Sequence, residues 1–196
     1  IAKVYYVAPK INSFTCSPNQ LSYEIGQKVS SVVFNWSYNK EIAYQTLTDC
    51  DVSDTSIRTA SYDNEITTNK TFTLSCGDGQ NSASSSKAFT FSSRIHSGSA
   101  SIPASYNSEF ILSLPGQLKG NKSGSYTVNV GTNQYFYIAM PTSYNNSDTL
   151  TGKIGGFDTD FSKVSTVSHT NQSGYTTNYN IYKSTNHSLG NITMTI

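Results

Sequence analysis

The nine residues "VVFNWSYNK" (32–40) restrict the fold more than any other stretch. Val32, Phe34, Trp36 and Tyr38 are apolar or aromatic, while Asn35, Ser37 and Asn39 between them are polar. Strict alternation over this length makes a strand with one buried face. Comparable short runs recur up to residue 95: "INSFTCSP", "LSYEIGQK", "EIAYQTLTDC", "TSIRTASY", "NKTFTLSC" and "KAFTFSSR". The last two flank "GDGQNSASSS", a hairpin connection with Asp78-Gly79 as its turn signal. About seven strands at roughly 8–12-residue spacing predict a β-sandwich over residues 11–95.

Trp36 narrows the kind of sandwich. In an antibody-type domain the strand tryptophan packs on a disulfide between the sheets. No cysteine stands in the Trp36 strand, and Cys76 has no partner in the required place. The expectation is therefore an immunoglobulin/fibronectin-like β-sandwich without a disulfide, with Phe34, Trp36, Phe72 and Leu74 as its core. The three cysteines (16, 50 and 76) are an odd number, which argues against a paired framework. Cys76 shares a face with Phe72 and Leu74 and reads as a buried thiol. Free thiols suit synthesis in a reducing cytoplasm.

"RIHSGSASIPAS" (94–105) is rich in Ser and Gly, carries Pro103 and reads as a domain seam. Beyond it, "YNSEFILSL" places Tyr106, Phe110 and Leu114 at helical spacing before Pro115-Gly116, which predicts one short helix. Strands follow. "SYTVNV" and "YFYIAMP" read as a hairpin across "GTNQ", and "GKIGGFDTDF" and "SKVSTVSHT" come next. "GYTTNYNIYKS" and "NITMTI" read as a closing hairpin, with Tyr175, Thr177, Tyr179 and Ile181 answered by Ile192, Met194 and Ile196. The expected chain is all-β: an N-terminal strand or linker from an upstream region (1–10, "IAKVYYVAPK"), the sandwich (11–95), and a second β-rich module (99–196) with at most one short helix. The chain reads as an excerpt of, or a processed product from, a longer polypeptide.

Chemistry is sparse. Charged residues make up 13% of the chain and the net charge is +1, which gives nucleic acid nothing to bind by bulk charge. No apolar run is long enough for a membrane-spanning helix, and no signal peptide opens the sequence. G-x-S-x-G, H-E-x-x-H, C-x-x-C and phosphate-loop patterns are absent, so no catalytic residue, metal or cofactor is assigned and the chain is expected not to be an enzyme. His96 falls in the seam and His169 and His187 in expected loops, where they read as surface residues. Asp158 and Asp160 in "GGFDTDF" suit a turn first, and a calcium ion or a glycosidase pair only as rivals. The aromatics remain. Tyr135, Phe136 and Tyr137 are consecutive, so both faces of one strand carry rings, one for the core and one for solvent, ligand or a subunit. Tyr135, Tyr137, Tyr144, Tyr175 and Tyr182 are the candidate binding residues, since tyrosine offers a rigid face with a polar tip.

The stretch "APKINSFTCSPNQLSYEIGQKVSSVVFNWSYNKEIAYQTLTD" resembles the immunoglobulin-like module of bacteriophage tail, baseplate and fibre proteins. The shared features are I-x-S-F, then S-P, then E-I-G before the valine strand, then W-x-x-N-K. "TTNKTFTLSCGDG" continues the likeness, which covers about residues 9–95. "QYFYIAMPTSY", "KIGGFDTDF" and "GYTTNYNIYKSTNHSLGNITMTI" are similar to a C-terminal module that follows it. The resemblance implies a non-enzymatic virion component assembled in the host cytoplasm, homo-oligomeric and in contact with other virion proteins. A head fibre or capsid decoration protein is a variant of that reading. A carbohydrate-binding module or bacterial surface adhesin, contacting a cell-surface glycan, is the alternative.

Overall fold

The computed structural model describes residues 5–196. The chain divides into two units, one running through Tyr23 and over Gln27–Phe91, the other comprising Glu24–Gly26 and Ser92–Ile196. Among the described residues all regular structure is strand except one short helix.

The first unit is built from β1 (Ile11–Ser17), β2 (Ser22–Glu24), β3 (Val32–Tyr38), β4 (Tyr44–Leu47), β5 (Thr59–Tyr62), β6 (Lys70–Gly77) and the first part of β7 (Ser82–Ala100). β1, β3 and β5 form one antiparallel sheet with β3 central. β4, β6 and β7 form the other layer, and β2 also pairs with β7. The alternating apolar sets meet between the layers. The Phe34 ring lies 4.8 Å from that of Phe72, with Phe14 5.5 Å from Phe34 and Phe89 5.8 Å from Phe72. Phe34, Phe72 and Leu74 are fully buried and Trp36 is buried beside them. Cys16 and Cys76 are buried free thiols, and Cys50 is a half-buried one. At Gly77 the Tyr44 ring fills the place a side chain would take, across the Tyr44↔Gly77 pair. An aromatic thereby covers a glycine that would weaken the strand.

Several expectations change in this unit. Residues 1–4 of "IAKVYYVAPK" lie outside the described residues, and Tyr5–Lys10 form no strand. Side chains hold that segment instead. The Tyr6 hydroxyl donates to Asp78 (3.0 Å), Lys40 Nζ to the Val7 carbonyl (3.1 Å) and Asn39 Nδ2 to the Ala8 carbonyl (2.9 Å). The connection read as "GDGQNSASSS" shrinks to Asp78–Asn81, because the serines continue β7. Cross-strand hydroxyl pairs fit them there, Thr73 with Ser86 at 2.8 Å. The segment read as a seam is strand through Ala100.

The second unit holds the rest of β7, α1 (Ser108–Ser113), β8 (Gly116–Lys119), β9 (Ser125–Val130), β10 (Tyr135–Pro141), β11 (Thr149–Ile154), β12 (Phe157–Thr170), β13 (Thr176–His187) and β14 (Gly190–Thr195). Helix α1 sits where the spacing of Tyr106, Phe110 and Leu114 places it. Asn107 caps it, its Oδ1 accepting from the Phe110 amide at 2.9 Å. The antiparallel sheet runs β7-β10-β13-β12-β11-β14-β9, with β8 paired to β7.

Both expected hairpins fail. β9 pairs with β14 and not with β10, while β13 lies between β10 and β12 and not against β14. The reason is a core on each side of the central strands. Phe136, Ile138, Met140 and Tyr182 face one cluster with Tyr126, Val128, Leu150, Phe161 and Met194. Tyr137, Ala139, Tyr179 and Ile181 face another, closed by Phe110, Ile111 and Leu114 of the α1 segment. Consecutive aromatics in β10 thus serve two cores, and neither face is left for solvent. On the exposed sides of neighbouring strands, Thr127 and Thr193 share a hydrogen bond at 2.8 Å, as do Ser125 and Thr195 (3.0 Å) and Thr170 and Thr176 (2.7 Å).

Candidate functional site

The five tyrosines are not one surface. Tyr137 and Tyr182 are fully buried, which corrects their reading as binding residues: a ring enclosed by core has no face for a partner. The Tyr182 hydroxyl accepts from Asn145 Nδ2 at 2.8 Å and meets the carbonyls of Asn145 and Ser147 at 3.0 and 2.9 Å. Tyr144 is half-buried and donates to the Lys119 carbonyl at 2.6 Å. Tyr135 is half-buried too, with the Lys183 ammonium 3.8 Å from its ring centre and the His187 ring at its edge, 5.7 Å away. Its face is already occupied by a cation. Tyr175 is exposed, just before β13. Tyr135 pairs with His187 at the far end of that strand, so about 36 Å of strand separates the two tyrosines. No single small ligand spans both.

The most exposed large apolar side chain of the second unit is Phe157, at 79%. It follows Gly155 and Gly156, whose φ angles of +59° and +86° make the tight turn between β11 and β12. The two aspartates beside it are paired across the same hairpin. Asp158 meets Lys153 Nζ at 2.6 Å, and Asp160 accepts from Thr151 Oγ1 at 2.7 Å. Both are exposed. No set of three metal-ligating side chains converges among the described residues.

The histidines depart furthest from expectation. His96 lies on β7 and His169 on β12, 4% and 1% exposed, so neither is a loop residue. Only His187 is exposed. The His96 and His169 rings meet edge to face at 5.6 Å, and Tyr179 stands 4.5 Å from His169. His96 Nδ1 lies 2.9 Å from the Leu114 carbonyl, and His169 Nδ1 lies 2.8 Å from Ser108 Oγ. Neither Nε2 has a hydrogen-bond partner among the described residues. Burial lowers the His169 pKa to about 4, with His96 adding to the effect. Burial lowers His96 as well, against the opposing pull of the Leu114 carbonyl and Glu24. A Ser–His pair suggests a nucleophile, but Ser108 Oγ is also tied to the Thr170 carbonyl (3.2 Å) and amide (3.1 Å). No third group orients the imidazole through Nε2, as an activated nucleophile needs.

Beside His96 opens a cleft of about 490 Å³, lined by Glu24, Arg94, Leu112, Pro115, Gly116 and Gln172 among others. Glu24 is buried and accepts from Arg94 Nε at 3.1 Å. The sequence did carry a sign of this interior. His169 stands two residues after Val167, on the same face of a strand.

Compared with known protein families, curated proteins and solved structures, the chain matches none. No helix among the described residues is long and apolar enough to cross a membrane.

Proposed function

We propose that this chain is a structural component of a bacteriophage virion, of the tail, baseplate or fibre kind. The first unit acts as a spacer, and the second makes the contact with other virion proteins or the host surface. The likeness of residues 9–95 to the immunoglobulin-like modules of such proteins supports the class. The observation that carries the contact role is Phe157, a large apolar side chain 79% exposed at the tip of a Gly-Gly turn. A tip of that kind is free to insert into a partner at no cost to the core. Mass spectrometry of purified particles from the source should recover peptides of this chain. Their absence from particles, with the protein present in the lysate, refutes the reading. Phe157→Ser then tests the contact: incorporation into particles or attachment to cells should fall while the fold is unchanged.

A glycan-binding module or adhesin keeps one observation in its favour, the exposed Tyr175. Tyr175→Ala abolishing binding of the full chain on a glycan array would replace the first reading with this one.

A further inference from the structure

The two buried histidines hold the two ends of one helix. Ser108, whose Oγ meets His169 Nδ1, is the first residue of α1, and Leu114, whose carbonyl meets His96 Nδ1, caps its end. A carbonyl only accepts, so His96 carries its proton on Nδ1 and leaves Nε2 as a bare lone pair. The groups around the pair come from four elements. Glu24 precedes Gly26, and Arg94 on β7 is bonded to it. Tyr179 on β13 donates its hydroxyl to the Arg94 carbonyl at 2.8 Å. Glu109 on α1 is exposed. None of them bonds to either Nε2.

We propose that His96 and His169 form a proton-operated latch on α1: when either ring gains a proton the pair parts, and residues 105–116 lift from the face made by Tyr137, Tyr179 and Ile181. A protonated ring has an N–H at Nε2 that must find an acceptor, and in the closed arrangement no group bonds to either Nε2. It also sets a charge 5.6 Å from a second imidazole inside the core, so the second proton is disfavoured while the latch is closed. Opening relieves both, because each ring then meets water. The helix is short, and its six residues have little stability of their own once unpinned. The apolar face beneath it is thereby exposed on acidification, an effect independent of what the protein attaches to.

Hydrogen exchange on the full chain at pH 7.5 and 4.5, corrected for intrinsic rates, tests this. With the open ring at its ordinary value and the closed His169 at about 4, opening of residues 105–116 should rise roughly 75-fold. The amides of β10 and β13 should stay protected. His96→Asn and His169→Asn keep a donor near Nδ1 and cannot charge, so each should reduce the rise. An unchanged α1 segment, loss of protection in β10 and β13 at the same pH, or a full rise retained in both variants overturns the latch. If the variants do not fold, imidazole proton titration of the unaltered chain decides. A ring titrating below about pH 5 together with shifts at Phe110 and Ile111 supports it, and both rings titrating near 6.5 overturn it.

Discussion

The indole N–H of Trp36 donates to Oε1 of Gln45 at 3.1 Å, joining a strand of one sheet to a strand of the other. The same oxygen accepts from the Tyr38 hydroxyl at 2.8 Å, and Gln45 Nε2 donates to the carbonyls of Asp54 and Ile57 at 2.7 and 3.2 Å. Gln45 is 3% exposed. One buried amide therefore satisfies groups from two separate stretches, β3 and residues 54–57. Trp36→Ala should cost about 3–5 kcal/mol through the cavity it leaves. Gln45→Ala should cost about 2–4 kcal/mol, because several buried polar groups lose their partner at once. Urea unfolding followed by circular dichroism measures both. A cost for Gln45→Ala below about 0.5 kcal/mol would show that the bridge is incidental.

Acid should weaken the second unit. His169 has a folded pKa of about 4, below its unfolded value near 6.5, so the unfolded chain binds more protons between these limits. Stability is then full above about pH 6.5, falls as the pH drops toward 4, and levels below it. The loss is about 3 kcal/mol from this ring, and His96 adds in the same direction. Urea midpoints for the intact chain at pH 7.5, 5.5 and 4 test the slope, and His169→Asn should flatten it.

Gly152→Ala should destabilise the second unit by about 1–3 kcal/mol, as overpacking does. A Cβ there would lie 2.7 Å from the Thr195 carbonyl oxygen and 2.7 Å from Met194 Cε. The methionine can move, but the backbone of β14 is fixed by its pairing with β9 and β11. Gly79→Ala is an unsuitable control, since its φ of +87° is itself strained for alanine. Gly120→Ala, with no atom within 4 Å of the added carbon, should be near neutral, and thermal melting of the full chain measures both variants.

Thiol reactivity should be ordered by burial. Cys50 is half-buried, Cys16 is 9% exposed and Cys76 is enclosed. Burial pushes all three thiols above their ordinary value, so even Cys50 should react slowly near neutral pH. Labelling of the native chain followed by peptide mapping should find Cys50 first. Cys76 should label only after denaturant is added.

The first unit was largely legible because its strands bury one face, and alternation reports a single face directly. Val32, Phe34 and Trp36 point inward as their period requires. β10 and β13 were misread for the opposite reason. With Tyr137 in one core and Phe136 in another, period-2 patterning separates the faces but does not say what covers the second. Pairing partners were hidden as well. "GTNQ" and "TNHSLG" carry hairpin chemistry, yet β14 pairs with β9 and β11 and not with β13. The Trp36–Gln45 bridge and the histidine pair depend on strands distant in sequence, and no local spacing announces them.

The exposed hydroxyls paired between neighbouring strands have a consequence beyond register. Ser13 with Ser37, Thr73 with Ser86, and Thr127 with Thr193 are neutral contacts, where many proteins place lysine against glutamate. Dissolved ions screen charges and leave such hydroxyl pairs almost untouched. These contacts should therefore hold alike in fresh water and in brine, while the exposed ion pairs Lys28–Glu65 and Lys153–Asp158 weaken as salt rises.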